Sequence, residues 1–235
     1  PNVLLPVLTT LDGFVTSHAM DNCVMEEDQV VKDFVGDYKP LYPLLDTENP
    51  VGHGMFATLG NGYMKYKLTE RHALDNALEA FEKHGKEWEE ITGRSFEVVD
   101  SWGAEDADYL IVVLGSCAGN ARHQARLLPA EGKKVGVVRP RIFRPFPAKQ
   151  IVEACKNAKA GAVIDRSDSF GCPHAPLALE VRAAFQDAGL QIPVSDYLAG
   201  MGGADITLDQ MGQVYAELEQ RAQGTYDGSI KYLGI

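Results

Sequence analysis

Residues 135–147 read V-G-V-V-R-P-R-I-F-R-P-F-P, and the rest of the chain is organised around them. Val135, Gly136, Val137 and Val138 form a short apolar run without polar alternation, as a strand covered on both faces requires. Pro140, Pro145 and Pro147 have no backbone N–H to give a ladder, so the spacing predicts a central strand that stops at this exit. Arg139, Arg141 and Arg144 place planar donor forks at the strand's carboxyl end, where open α/β sheets commonly bind ligands. The same spacing also describes a stiff loop whose arginines cap nearby carbonyls.

From residue 100 onward the pattern is regular. Residues 109–114, 135–138, 162–165 and 192–198 read as strands, and 118–129, 147–157, 173–188 and 207–222 read as helices. In the last helix Thr207 and Gln210 have capping-box spacing, with Leu208, Met211, Val214, Tyr215 and Leu218 as its apolar side. Strands alternating with helices imply right-handed crossovers. The fold class is therefore α/β, a mainly parallel sheet with helices on both faces, preceded by an irregular arm and a long helix. The tail, 224–235, carries Tyr226, Tyr232, Leu233 and Ile235 and is apolar enough to dock.

Toward the amino end the signals weaken. Residues 3–11, with Pro6 among them, read as a short strand, the proline placing it at an edge or marking a strand start, and a chain beginning this way predicts a region upstream. Asp12-Gly13 is a turn signal, and Ser17 with His18 is a candidate polar pair. Residues 26–35 suit a short helix with an acidic head. Residues 36–62, punctuated by Pro40, Pro43 and Pro50, form a long irregular excursion. Tyr38, Tyr42, Met55, Phe56 and Tyr63 would let it pack across a partner surface. Residues 69–91 form the clearest helix, with Thr69 as N-cap, Leu74, Ala77, Leu78, Phe81, Trp88 and Ile91 near one face, and Gly93 as terminator.

The totals exclude several classes. With 22 basic and 33 acidic residues, the formal net charge of -11 disfavours nucleic acid and anionic membrane as partners. No apolar run approaches the ~18 residues that span a bilayer, and the start lacks a signal-peptide pattern, so a cytoplasmic location is expected. Cys23, Cys117, Cys155 and Cys172 are far apart and form no C-x-x-C, so buried reduced thiols are expected and no metal or iron–sulfur centre is assigned to this chain alone. His72 and His84 are too far apart on their helix to be a ligand pair.

Three glycine-bearing turns follow strands. Gly115-Ser116-Cys117-Ala118-Gly119-Asn120 opens a helix, whose backbone donors could hold an anion or could simply make a tight turn. Ser169-Phe170-Gly171-Cys172 follows Asp165 and Arg166, and Cys172 near a helix start reads as structural, with no base in view. Gly200-Met201-Gly202-Gly203 is the third. Together they line one edge of the sheet, as a binding crevice or as a rim facing another subunit.

Four segments carry a resemblance to a known family. Leu11-Asp12-Gly13-Phe14 with Ser17-His18, the connector at 50–62, Val135-Gly136-Val137 through Arg144-Pro145-Phe146-Pro147 continued by Val163-Ile164-Asp165-Arg166 and Ser169-Phe170-Gly171, and Gly200-Met201-Gly202-Gly203-Ala204-Asp205-Ile206-Thr207 are similar to segments of the alpha chain of the pyruvate:ferredoxin oxidoreductase family. The resemblance implies that 1–35 is the end of a pyrimidine-side thiamine domain, 36–99 a connector with a long helix, and 100–235 a transketolase C-terminal-like domain. It implies a complex that uses thiamine diphosphate, Mg2+, [4Fe-4S] clusters and CoA to convert pyruvate to acetyl-CoA, passing electrons to ferredoxin. This chain would act as scaffold and subunit interface within a dimer of the assembled enzyme, inactive alone. Leu11 stands where a thiamine G-D-G anchor would need glycine, and no catalytic, cofactor-binding or metal-binding role is carried onto any position. Oxalate, 2-oxoglutarate and branched-chain enzymes share these motifs. A free-standing flavodoxin-like module, using the turns at 115, 171 and 202 to hold an anion or nucleotide, is the alternative.

Overall fold

The computed structural model describes residues 2–52, 54, 56–57, 60, 62–224 and 229–235, with only the backbone at 130 and 131. It divides into two units: residues 1–8 with 21–96, and residues 9–20 with 97–235. In the first, helix α2 (Asp28–Val35) accompanies α3 (Gly62–Thr92). The apolar stripe of α3 meets α2 through Phe34, whose ring lies 4.9 Å from that of Trp88 in an edge-on arrangement. Arg94 lies over the Trp88 ring at 5.9 Å and pairs with Glu26. Gly93, at φ 69°, closes the helix by donating its N–H to the Glu89 carbonyl. Thr69 is not the N-cap: the helix begins a full turn and more earlier, and the Thr69 hydroxyl donates back to the Lys65 carbonyl at 3.0 Å. A threonine hydroxyl can serve either role, and the run Tyr63, Met64, Tyr66, Leu68 carries no breaker that would stop the helix from extending.

The second unit begins with a single helical turn, α1 (Val15–His18), and then builds a sheet. Its strands are β1 (Val99–Trp102), β2 (Tyr109–Val113), β3 (Val135–Pro140), β4 (Ala160–Asp165), β5 (Val194–Leu198) and β6 (Ile230–Tyr232). They are ordered β1-β3-β2-β4-β5-β6, all parallel except β1 against β3. Helices α4 (Cys117–Leu127) and α7 (Leu208–Arg221) cover one face, and α5 (Ala148–Cys155) and α6 (Pro176–Asp187) the other. A 3-10 turn at Leu128–Glu131 closes α4, and another at Met201–Gly203 follows β5. Side chains alternate accordingly. Ile111, Val113, Val137, Ala162, Ile164 and Tyr197 meet α4 and α7 in one buried cluster, while Leu110, Val112 and Val163 face α5 and α6. A fully buried side chain of this size stabilises by about 1.5–3 kcal/mol.

Several expectations are corrected. β3 is second from the edge rather than central, and it does not stop before Pro140: that residue pairs opposite Val99, and Arg141 supplies the N–H, to the Val98 carbonyl at 2.9 Å. A missing donor is harmless where the neighbouring residue makes the bond. Gly136 is required by close approach, since a Cβ there would lie 2.7 Å from the Gly103 carbonyl oxygen. Residues 3–11 form no strand; Pro6 has no N–H to give, and residues 4–11 lie mostly exposed. The tail docks as β6, carried by Ile230 and Tyr232. Tyr226 and Met55 lie outside the described residues. Only Cys117 and Cys155 are buried, whereas Cys23 and Cys172 sit in exposed irregular segments.

Candidate functional site

The carboxyl ends of β2, β4 and β5 open onto a cleft of ≈ 260 Å³ lined by Gly13, Phe14, Ser116, Cys117, Arg166 and Asp205 together with their neighbours. Two of the three glycine turns reach it, those at 115 and 200–203. The turn at 169–172 does not, and its contribution comes from Arg166 just upstream.

The helix N-terminus whose donors could hold an anion or simply make a tight turn holds a carboxylate of the chain's own. Asp12 accepts the Ser116 backbone N–H at 2.5 Å, and its other oxygen lies 3.4 Å from Arg166 Nη1. Gly115, at φ 67°, allows this approach, because a Cβ there would come within 2.7 Å of the carboxylate. Burial alone would raise the Asp12 carboxyl, but hydrogen bonding by Ser116 and the Arg166 charge outweigh it and hold the group below its ordinary value. Arg166 also reaches the Gly200 carbonyl at 3.4 Å. Gly200, at φ 67°, leaves room for Ile206 and Arg166, which a Cβ would meet at 2.9 and 3.1 Å. Asn120 ties α4 to the same corner by donating to the Ile206 carbonyl at 2.6 Å, and the predicted capping box of α7 is formed by Thr207 and Gln210.

Ser17 and His18 do pair: Oγ and Nδ1 are 2.7 Å apart, and both side chains also turn toward the Phe14 carbonyl. Both are exposed, and neither belongs to the cleft lining.

The strand-exit arginines are engaged within the chain. Arg139 and Arg141 converge on one oxygen of Asp100, with Nε distances of 2.9 and 2.7 Å. Arg139 and Arg122 flank the Trp102 ring at 5.1 and 4.8 Å. Arg144 pairs with Glu180 at 2.6 Å and donates to the Phe143 carbonyl, a carbonyl cap of the kind the spacing allowed. Sequence reasoning missed β1, which supplies Asp100 and Trp102. Its signal was the pair Val98-Val99 ahead of them, too short to register as a period.

Of two buried carboxylates, Asp165 was visible ahead of the turn at 169–172 and Asp196 escaped notice. Asp165 accepts from the N–H groups of Ser167 and Leu177, and Asp196 from that of Ala175, so both anchor the start of α6. Burial pushes the Asp165 carboxyl up despite those bonds, with Asp196 adding to the rise. These acids are at home at a helix N-terminus and hold it against the sheet.

Burial raises the Cys117 thiol, and the lining contains no imidazole to take its proton. Among the described residues, no group of three or more His, Cys, Asp or Glu side chains could hold a metal ion, and no helix is long and apolar enough to cross a membrane.

Two family models match in succession: the thiamine-diphosphate-binding region of pyruvate flavodoxin/ferredoxin oxidoreductase over residues 1–87, and core domain II of pyruvate:ferredoxin oxidoreductase over residues 107–211. The chain is 37% identical over 216 residues to the pyruvate synthase subunit PorA of Thermotoga maritima, covering 92% of this chain and 55% of that protein. It is 32% identical over 233 residues to the ketoisovalerate oxidoreductase subunit VorA of Pyrococcus horikoshii, covering 98% and 58%. Thus it spans little more than half the length of these relatives. A solved 2-oxoglutarate:ferredoxin oxidoreductase from Magnetococcus marinus, with 2-oxoglutarate, coenzyme A and succinyl-CoA bound, is 18% identical with a TM-score of 0.47, covering 69% of this chain and 23% of that one.

Proposed function

The chain belongs to the pyruvate:ferredoxin oxidoreductase family as an alpha-type chain, and from that premise we propose that it serves as scaffold and subunit interface in a ferredoxin-dependent 2-oxoacid oxidoreductase. The reaction we assign to the assembled enzyme is conversion of pyruvate, CoA and oxidised ferredoxin to acetyl-CoA, CO2 and reduced ferredoxin. Pyruvate is favoured over a branched-chain 2-oxoacid by the PorA relative, while the VorA relative keeps the second substrate as the alternative. In this reading residues 1–35 close a pyrimidine-side thiamine domain, 36–99 connect, and 100–235 form the transketolase C-terminal-like domain. The partners are the remaining domains or subunits, a second copy of the assembly, and ferredoxin.

Thiamine diphosphate with Mg2+ does not fit the residues described. The Asp12 carboxylate of the L-D-G turn is paired with Arg166 and the Ser116 N–H, whereas an Mg2+ ligand would need it unpaired by cations. The cofactor and the iron–sulfur clusters are assigned to the rest of the complex.

One observation carries the interface role. Leu41, Tyr42, Leu44, Leu45 and Phe56 all stand exposed in the irregular stretch, Leu45 at 89% and Phe56 at 86%. Apolar side chains at such density on an irregular segment suit burial against another protein. The test is co-expression of the chain with its partner subunits, followed by native mass spectrometry. Leu44→Asp with Leu45→Asp is expected to leave the isolated chain folded by circular dichroism and to remove it from the complex. Assembly undiminished by that pair of charges would contradict the role.

A further inference from the structure

Residues 13–16 line the cleft, and the segment 12–18 that carries them has very little burial: Asp12 alone among its residues is not exposed. Two attachments hold the segment to its unit. At one end the Asp12 carboxylate is seated on the Ser116 N–H beside Arg166. At the other, the Phe14 ring lies over Gly203, so closely that a Cβ there would meet it at 3.1 Å. Between these attachments the backbone is strained. Phe14 stands at φ 57°, ψ -107°, a conformation that side chains with a Cβ rarely adopt. The turn is thus held in an unfavourable shape by a single charged contact and one ring, both of which seat on glycines at positive φ.

We infer that residues 12–18 are a strap over the cleft, latched by the Asp12 carboxylate on Ser116 and Arg166, and that release of this latch opens the way to Cys117 and Arg166. The strain at Phe14 favours opening once the carboxylate lets go, and the lack of burial leaves little else to oppose it. The charged and titratable groups around the latch are Arg166 from the β4 end, Cys117 from the start of α4, Asp205 from the turn before α7, and His18 on the strap itself. The inference does not depend on the proposed enzyme, because latch and cleft lie within one unit of this chain.

Cys117 provides the readout. It lines the cleft at 4% exposure, whereas Cys23 and Cys172 are open to solvent and Cys155 lies buried on the opposite face of the sheet. Iodoacetamide alkylation of the 235-residue chain, followed peptide by peptide in a mass spectrometer, compares the wild type with Asp12→Ala. Expected is a roughly tenfold faster reaction at Cys117 with Cys155 unchanged, accompanied by faster amide exchange at Ser116, His18 and Ala19. Cys117 reacting at the same rate in both proteins, or as fast as Cys172 in the wild type, would overturn the inference. If Asp12→Ala accelerates Cys155 as well, the unit has opened globally, and Arg166→Gln is read instead. A selective increase at Cys117 of about threefold then supports the latch, and none refutes it.

Discussion

At the scale of single residues, charge that looked available in the sequence is engaged within the chain. Asp100 takes both Arg139 and Arg141, and Asp12 takes Ser116 and Arg166. Replacing Asp100 by Ala leaves two guanidinium groups without this carboxylate at the β1 edge. A loss of about 1–3 kcal/mol is expected, read as a lower midpoint in urea with little change in slope. The Asp12 carboxyl has a folded-state pKa below its ordinary 3.8. A lowered value of this kind gives stabilisation that is complete above the unfolded pKa and is lost as pH falls through the folded one. Exchange at the Ser116 amide, corrected for its intrinsic rate, should therefore hold steady from about pH 7 to about pH 5 and rise only below 3.8. Gly200→Ala tests a different cause. The added methyl meets Ile206 and Arg166 at a positive φ, and a cost of about 1–3 kcal/mol is expected in thermal or urea unfolding.

At the scale of elements, the legible parts were those with strong periodicity. Residues 109–113 and 160–165 are apolar runs without alternation, and the Thr207–Gln210 box with its stripe read directly as α7. Two strands were illegible for physical reasons. β1 is V-D-S-W, whose Asp100 and Trp102 are shaped by arginines from elsewhere rather than by a local period. β6 is three residues long, pairs with β5, and is tied to α7 by Glu217: the carboxylate accepts Lys231 Nζ at 2.9 Å and the Tyr197 hydroxyl at 2.7 Å. Burial would raise that carboxyl, but those donors hold it down, while burial and Glu217 together push the Tyr197 hydroxyl up. Glu217→Ala should release 230–235 to fast amide exchange while β2 and β4 stay protected, at a cost of about 1–3 kcal/mol. Of the candidate site, the glycine turns and the aspartate of L-D-G were visible, but their union was not. Asp12 and Ser116 are 104 residues apart, and no local pattern announces such a contact.

At the scale of the whole molecule, a regular α/β unit bearing a cleft accompanies a second unit of long helix and exposed irregular chain. The first provides a sheet edge closed by its own strap; the second provides apolar side chains that stand exposed. A free-standing ligand-binding module accounts poorly for this division, since the helix N-terminus it would use is filled by Asp12 and its glycine turn at 169–172 lies outside the cleft. A supporting subunit accounts for both halves. The direct measurement is reduction of ferredoxin by pyruvate and CoA in the presence of thiamine diphosphate, with the chain alone and after mixing with its partner subunits. The account predicts no turnover by the chain alone and turnover on mixing; activity of the isolated chain, or full activity of the partners without it, would contradict it.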